Sequence, residues 1–186
     1  SVKSTFVNVL GEPVPAIFVK ASGFDLASIE PEGHPGLDLD HLLRLRRLET
    51  LSDEAMTNEL RTRLVHHRSP APSLETLAHA FIPKKFIDHT HADAVLALTN
   101  QVDGPAHVQA AMGDAVVTLD YVEPGFKLAL AAADAFERNP QARGMVWMRH
   151  GILTWGDSAR ESYEAMIELV TRAEQHVARM ATGRAQ

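Results

Sequence analysis

The sequence predicts an α/β layered domain, and three observations predict it. Short β-branched stretches alternate with leucine- or alanine-rich stretches of helical spacing along 186 residues, the pattern of strands layered against helices. Gly, Pro and Asn punctuate the joins between them. The last stretch carries both a helix start signal and a long apolar stripe. The length suits one domain with a sizeable core.

Residues 5–10 and 16–21 are extended and apolar, and Gly11-Glu12-Pro13-Val14-Pro15 between them reads as the turn of a β-hairpin. Ser22-Gly23 breaks the second strand, and 28–36 reads as a loop. Leucines at 39, 42, 43, 45 and 48 give a helix over 37–49, with Asp38 and Asp40 at its start and arginines toward its end, as the helix dipole prefers. Ser52 opens a second helix running to about residue 66, with Asp53 and Glu54 in its first turn. Pro70-Ala71-Pro72-Ser73 is a breaker followed by a cap, so a helix is expected over 74–82, stopped by Pro83. A strand at 85–91, a helix at 92–99, a strand at 115–122, a helix at 127–138 and a strand at 145–149 follow. Ser158-Ala159-Arg160-Glu161 is a capping box. Tyr163, Met166, Ile167, Val170, Ala173 and Val177 after it form one stripe, read as core or interface.

Residues 1–7 already read as a strand with no leading cap. The expectation is therefore a single domain over 1–186 that lacks its N-terminal start.

The formal net charge is −6, which argues against nucleic acid as a partner because a phosphate-backbone binder needs a basic face. There is no cysteine, so a transition metal would be held by His, Asp or Glu. No apolar run approaches the roughly 18 residues of a membrane span. A cytoplasmic protein with no membrane partner is the expectation. Arg44, Arg46, Arg47, Arg61 and Arg63 allow two readings, a solvated helix face or an anion site, and the solvated face is the ordinary one.

Chemistry enters with His89-Thr90-His91, at the end of the strand carrying Lys85-Phe86-Ile87-Asp88. Residues i and i+2 of a strand point to one side, so both imidazoles face one spot and suit two ligands of a single Zn²⁺. Such a pair is also a common surface or core feature in a chain with ten histidines. His150, between the strand Met145-Val146-Trp147-Met148-Arg149 and Gly151, is the candidate third ligand. Glu75, in the first turn of the helix before the His-x-His strand, is the candidate carboxylate. Near a three-histidine zinc it can serve as a ligand displaced by substrate and then as a base for a C–H proton. Its ordinary alternative is a helix-dipole or capping role.

Ser73-Leu74-Glu75-Thr76-Leu77-Ala78-His79, Ile87-Asp88-His89-Thr90-His91, Tyr121-Val122-Glu123-Pro124-Gly125 and His150-Gly151-Ile152-Leu153-Thr154-Trp155-Gly156 occur in that order. The combination resembles the class II aldolase/adducin-head family, which includes L-fuculose-phosphate and L-rhamnulose-phosphate aldolases and L-ribulose-phosphate epimerase. The stretch 38–72 is similar to the aldolase half of bifunctional rhamnulose-phosphate aldolase/short-chain alcohol dehydrogenases.

The resemblance implies a central mixed or antiparallel β-sheet flanked by helices. It implies zinc on His89, His91 and His150, with Co²⁺ or Mn²⁺ left open. Glu75 becomes the metal-bound acid–base carboxylate. Tyr121 becomes a tyrosine that handles the proton of the leaving aldehyde across a subunit boundary. Ser22, Gly23 and Ser73 become phosphate-binding positions. The implied activity is a lyase of rhamnose catabolism: cleavage of a ketose phosphate such as rhamnulose phosphate to dihydroxyacetone phosphate and an aldehyde, through a zinc-stabilised enediolate. An epimerase on the same metal site and a non-catalytic adducin-like module are the alternatives. A homo-oligomer, in particular a tetramer, and a fused or lost short-chain dehydrogenase half are also implied.

Three departures from the family pattern stand out. Leu74 replaces a serine that often donates to phosphate. The family's Gly/Asn-rich phosphate turn is expected before Ser1, and the closing C-terminal tail of some members is expected to be absent.

Overall fold

The computed structural model of the chain describes residues 1–183. It is α/β, in two compact units: Ser1–Lys85 with Glu123–Ala133, and Phe86–Val122 with the chain from Asp134 onward. Among the described residues no helix is long and apolar enough to cross a membrane.

The first unit holds β1 (Val2–Val7), β2 (Pro13–Phe18) and β3 (Gly36–Asp38), in sheet order β3-β2-β1. Both pairings are antiparallel. The hairpin lies earlier than the sequence pattern suggests. Asn8 makes the turn: its side-chain oxygen accepts from the backbone N–H of Leu10 and Glu12, and Gly11 sits at φ +82°. Prolines 13 and 15 therefore fall inside β2, not in the turn. They are tolerated because β3 reaches only as far as Ala16, leaving β2 a neighbour on one side there.

Strand β3 occupies part of the expected loop and the expected start of the first helix. Asp38 ends it and caps α1 (Leu39–Leu45), its carboxylate accepting from the His41 N–H at 3.0 Å. Ser52 caps α2 (Asp53–Thr62) in the same way through the Ala55 N–H. This helix stops four residues short of expectation because the chain returns to the sheet. The Asp38 N–H donates to the Arg63 carbonyl, and the Val65 N–H to the Gly36 carbonyl.

Helix α3 (Thr76–Phe81) is buried at every position. The chain beyond it is tied to β1 by one side chain: Lys3 Nζ donates to the carbonyls of His79, Ile82 and Lys84 at 2.7, 2.7 and 2.8 Å. These are carbonyls at and beyond the end of a short helix, where intrahelical donors run out. Burial pulls the Lys3 ammonium down to about 7, against the pull of three carbonyl oxygens.

The second unit holds β4 (Phe86–Thr90), β5 (Val116–Leu119), β6 (Gly144–Trp147) and β7 (Gly151–Gly156), in sheet order β4-β7-β6-β5. Strands β4 and β6 are antiparallel to β7, while β5 and β6 are parallel. A parallel pair needs a crossover, and the chain between them carries α6 (Phe126–Arg138), whose residues up to Ala133 belong to the first unit. Helices α4 (Asp93–Thr99), α5 (Gly104–Met112) and α7 (Ala159–Gly183) complete the unit, α7 packing on β4, β7, α4 and α5.

Two of these elements give no sequence signal. Strand β7 is buried along its whole length, so it shows no inside–outside alternation. Helix α5 opens on Gly104-Pro105, which reads as a break although proline is at home in a first helical turn.

The capping box at the start of α7 forms. Ser158 Oγ accepts from the Glu161 N–H, and Glu161 reaches back to the Asp157 N–H at 2.8 Å. The predicted stripe divides. Met166 and Ala173 join Leu169 in the core with Val95, Leu98, Val108 and Ile152. Tyr163 and Ile167 are turned off that face and are 61% and 50% exposed.

Lys3→Met should lower unfolding stability by about 2–3 kcal/mol, because it strands hydrogen-bond acceptors that an ammonium now serves. Chemical denaturation followed by circular dichroism measures this, and a loss below about 0.5 kcal/mol, the range of an ordinary surface change, would show that water replaces the ammonium freely.

Candidate metal centre

The antiparallel register of β4 and β7 assembles the three histidines. His89 pairs with Leu153 and Thr90 with Ile152. The C-terminal end of β4 therefore lies beside the first residue of β7, and His150 immediately precedes that residue. His91 follows β4 directly. Ring centroids are 4.8 Å apart for His89–His91, 5.2 Å for His89–His150 and 4.9 Å for His91–His150.

One ring nitrogen from each lies within 4.8 Å of one from each of the others. Two ligands of a tetrahedral zinc stand about 3.3–3.4 Å apart, given Zn–N bonds of roughly 2.0–2.1 Å, a spacing within reach of small side-chain rotations.

The donor chemistry fits a divalent cation. His89 Nδ1 lies 3.1 Å from the Ile152 carbonyl oxygen. Donating there fixes the tautomer that leaves the Nε2 lone pair for a metal, the usual second bond of a metal-binding histidine. Among the described residues, the buried Nε2 of His89 and Nδ1 of His150 make no hydrogen bond. Trp147, 1% exposed, has its ring centroid 5.0 Å from both His89 and His150 and floors the cluster. Its indole N–H donates to Met145 Sδ.

Two backbone devices aim His150, and sequence reasoning missed both. Arg149 adopts φ +60°, which costs a non-glycine residue roughly 1–2 kcal/mol. It turns the chain between β6 and β7, where the His150 N–H closes the loop on the Trp147 carbonyl at 3.0 Å. Gly151 then lets the strands meet: a Cβ there would stand 2.5 Å from the Thr90 carbonyl oxygen, 3.1 Å from His89 Cε1 and 3.1 Å from His91 Cδ2. The Gly after His150 was the one available signal, since a glycine inside a strand pattern marks close backbone approach.

Glu75 belongs to the first unit, at the residue preceding α3, and it makes no side-chain capping bond to that helix. Ser73 takes the local role instead: its Oγ accepts from the Glu75 N–H, and its carbonyl accepts from the Thr76 hydroxyl. An isolated antiparallel bridge joins Ala21 to Pro72, and the Ser22 N–H donates to the Ala71 carbonyl. The Ser22-Gly23 turn, with Gly23 at φ +81°, is thus brought beside Ser73. Tyr121 follows β5 and is 54% exposed.

Residues 4–177 match the family described as Class II Aldolase and Adducin N-terminal domain. The chain belongs to that family. It is similar to the N-terminal class II aldolase domain of a conserved protein from Thermoplasma acidophilum, with 37% identity over 95% of this chain and 82% of that one, at a TM-score of 0.88. The fold is also that of a sugar-phosphate aldolase from Thermotoga maritima (TM-score 0.64, 16% identity, 98% of this chain and 76% of that one). The same holds for an L-fuculose 1-phosphate aldolase (TM-score 0.59, 16% identity, 96% of this chain and 76% of that one). A Bacillus subtilis protein described as uncharacterized oxidoreductase YuxG is 34% identical over 95% of this chain. The chain spans about a quarter (26%) of that relative's length.

Gly151→Ala should weaken zinc affinity by roughly ten- to a hundredfold, the range for disturbing what orients a metal ligand. Competition against a chromogenic chelator reads this directly, and unchanged affinity would mean that the strands part without moving the imidazoles.

Proposed function

We propose that this chain is a zinc-dependent aldolase that cleaves a ketose phosphate, such as rhamnulose phosphate, to dihydroxyacetone phosphate and an aldehyde. The convergence of His89, His91 and His150 carries the reading. Membership of the class II aldolase family supports it. In this reading those three imidazoles hold the cation and Glu75 is the adjoining carboxylate. A bound divalent cation supplies Lewis acidity, drawing electron density from the oxygens next to the bond that breaks. Neutral imidazoles suit that task better than thiolates, which would blunt its charge.

The chain's own groups do the proton work. Tyr121 holds the proton of the hydroxyl that becomes the aldehyde. Glu75 delivers a proton to the carbon left with the electron pair when the C–C bond breaks. Atoms balance: one proton leaves oxygen and one arrives at carbon. Tyr121 is exposed, which supports its acting on the site of a second copy of the chain in a homo-oligomer, a tetramer in our reading. Ser22, Gly23 and Ser73 would receive the phosphoryl end. We further infer that the domain serves rhamnose catabolism in the cytoplasm, within or beside a protein carrying a reductase. The description of the much longer Bacillus relative as an oxidoreductase supports that partner.

The test is to offer the zinc-loaded protein L-rhamnulose 1-phosphate and L-fuculose 1-phosphate and couple dihydroxyacetone phosphate release to its NADH-dependent reduction. An epimerised ketose phosphate without cleavage would replace the aldolase by an epimerase. Full zinc occupancy with neither product would leave an adducin-like module.

His89→Ala and His150→Ala should lose zinc and turnover together, measured by elemental analysis beside the coupled assay. Glu75→Gln should retain zinc and lower kcat by about 10²–10⁴, the range for a general acid–base group; undiminished turnover would remove Glu75 from the chemistry. Tyr121→Phe should slow cleavage while leaving zinc content intact, and parallel loss of both would recast it as a structural residue.

A further inference from the structure

A cavity of about 180 Å³ lies within the first unit, against Ser22, Thr57, Leu60, Arg61, Pro72 and Leu74. Drug-sized sites run to roughly 300–1,000 Å³, so this one suits a head group and not a whole sugar. Thr57 and Arg61 are four residues apart on α2 and share a helix face. The Ala21–Pro72 bridge places Ser22 beside Pro72, and Ser22 lines the same cavity as Thr57 and Arg61.

The polar groups of this cavity are uncommitted. Among the described residues, the Arg61 guanidinium has no ion-pair partner, and the Thr57 and Ser22 hydroxyls have no hydrogen-bond partner. A guanidinium offers a planar fork of donors that matches an oxyanion bidentately. Two hydroxyls add donors around the same space. Leu60 and Leu74 supply the apolar part of its lining.

We propose that Arg61, with Thr57 and Ser22, forms a phosphoryl-binding subsite of this chain. Arg61 and Thr57 lie outside the phosphate positions that family likeness suggests, which are Ser22, Gly23 and Ser73. Their presence answers a specific deficit. Leu74, which the family resemblance suggests stands in place of a donor hydroxyl, lines this cavity. A charged fork on α2 replaces that neutral donor and adds a full positive charge. Of the five arginines between 44 and 63, Arg61 is the one lining this cavity. The inference rests on the aldolase reading for the identity of the substrate, but not for the binding of the anion.

The experiment titrates inorganic phosphate, and acetate in a parallel arm, into the zinc-loaded chain by calorimetry at low ionic strength. Arg61→Gln should weaken phosphate binding by roughly ten- to a hundredfold, as expected for losing a hydrogen-bonded charge, with zinc content unchanged. Arg61→Lys should recover part of the loss, and added salt should weaken the wild type more than Arg61→Gln. In turnover, Arg61→Gln should lower the kcat/KM ratio of a phosphorylated over an unphosphorylated ketose. Phosphate binding that is equal in wild type and Arg61→Gln, or tighter binding of acetate than phosphate, would overturn the subsite while leaving the aldolase reading intact. Arg61-dependent phosphate binding in a protein that cleaves no ketose phosphate would uphold the subsite and defeat the aldolase reading.

Discussion

The antiparallel register between β4 and β7 is the constraint on which the candidate centre depends. It closes a gap of about sixty residues by placing the end of one strand beside the beginning of the other. A slip of one residue would turn every side chain of β4 to the opposite face and point His89 away from His150. The register is held hard because β7 is a central strand, buried throughout and paired on both sides. The candidate metal site thus borrows the rigidity of a buried central strand, and its three imidazoles stand at strand ends, as precise coordination would require.

Local strain is tolerated where that arrangement needs it. Arg149 in the left-handed region and the contact distances around Gly151 would be costly in an exposed loop. Here the buried strands on either side over-determine the backbone, which is the usual condition for strain to persist near a functional site. Trp147 contributes from below by filling the space under two imidazoles, so that they cannot fold down into the core.

Much of this was readable in the amino-acid order, and the failures have physical causes. His89 and His91 were legible because period-two geometry is local. The caps at Asp38, Ser52 and Ser158 were legible because a side chain accepting from a backbone N–H three residues on is local too. Strand β7 escaped because full burial erases alternation. Strand β3 and the early end of α2 escaped because both depend on pairing between segments some 27 residues apart, Leu37 with Leu64. His150, Glu75 and Tyr121 were singled out through family likeness and strand-end position, not through any spacing rule. Arg61 was visible only as one of several arginines, and what separates it from the rest is a cavity no linear pattern contains.

The three imidazoles differ in their access to solvent. His150 is 9% exposed and His89 is anchored by a backbone carbonyl, whereas His91 is open to solvent at the strand's end. A cation seated there would arrive and depart past His91, whose swing is the least hindered motion available. Exchange of such an ion would pass the one exposed imidazole of the three. The rim of the cluster, and not its buried base, would set the route by which an ion comes and goes.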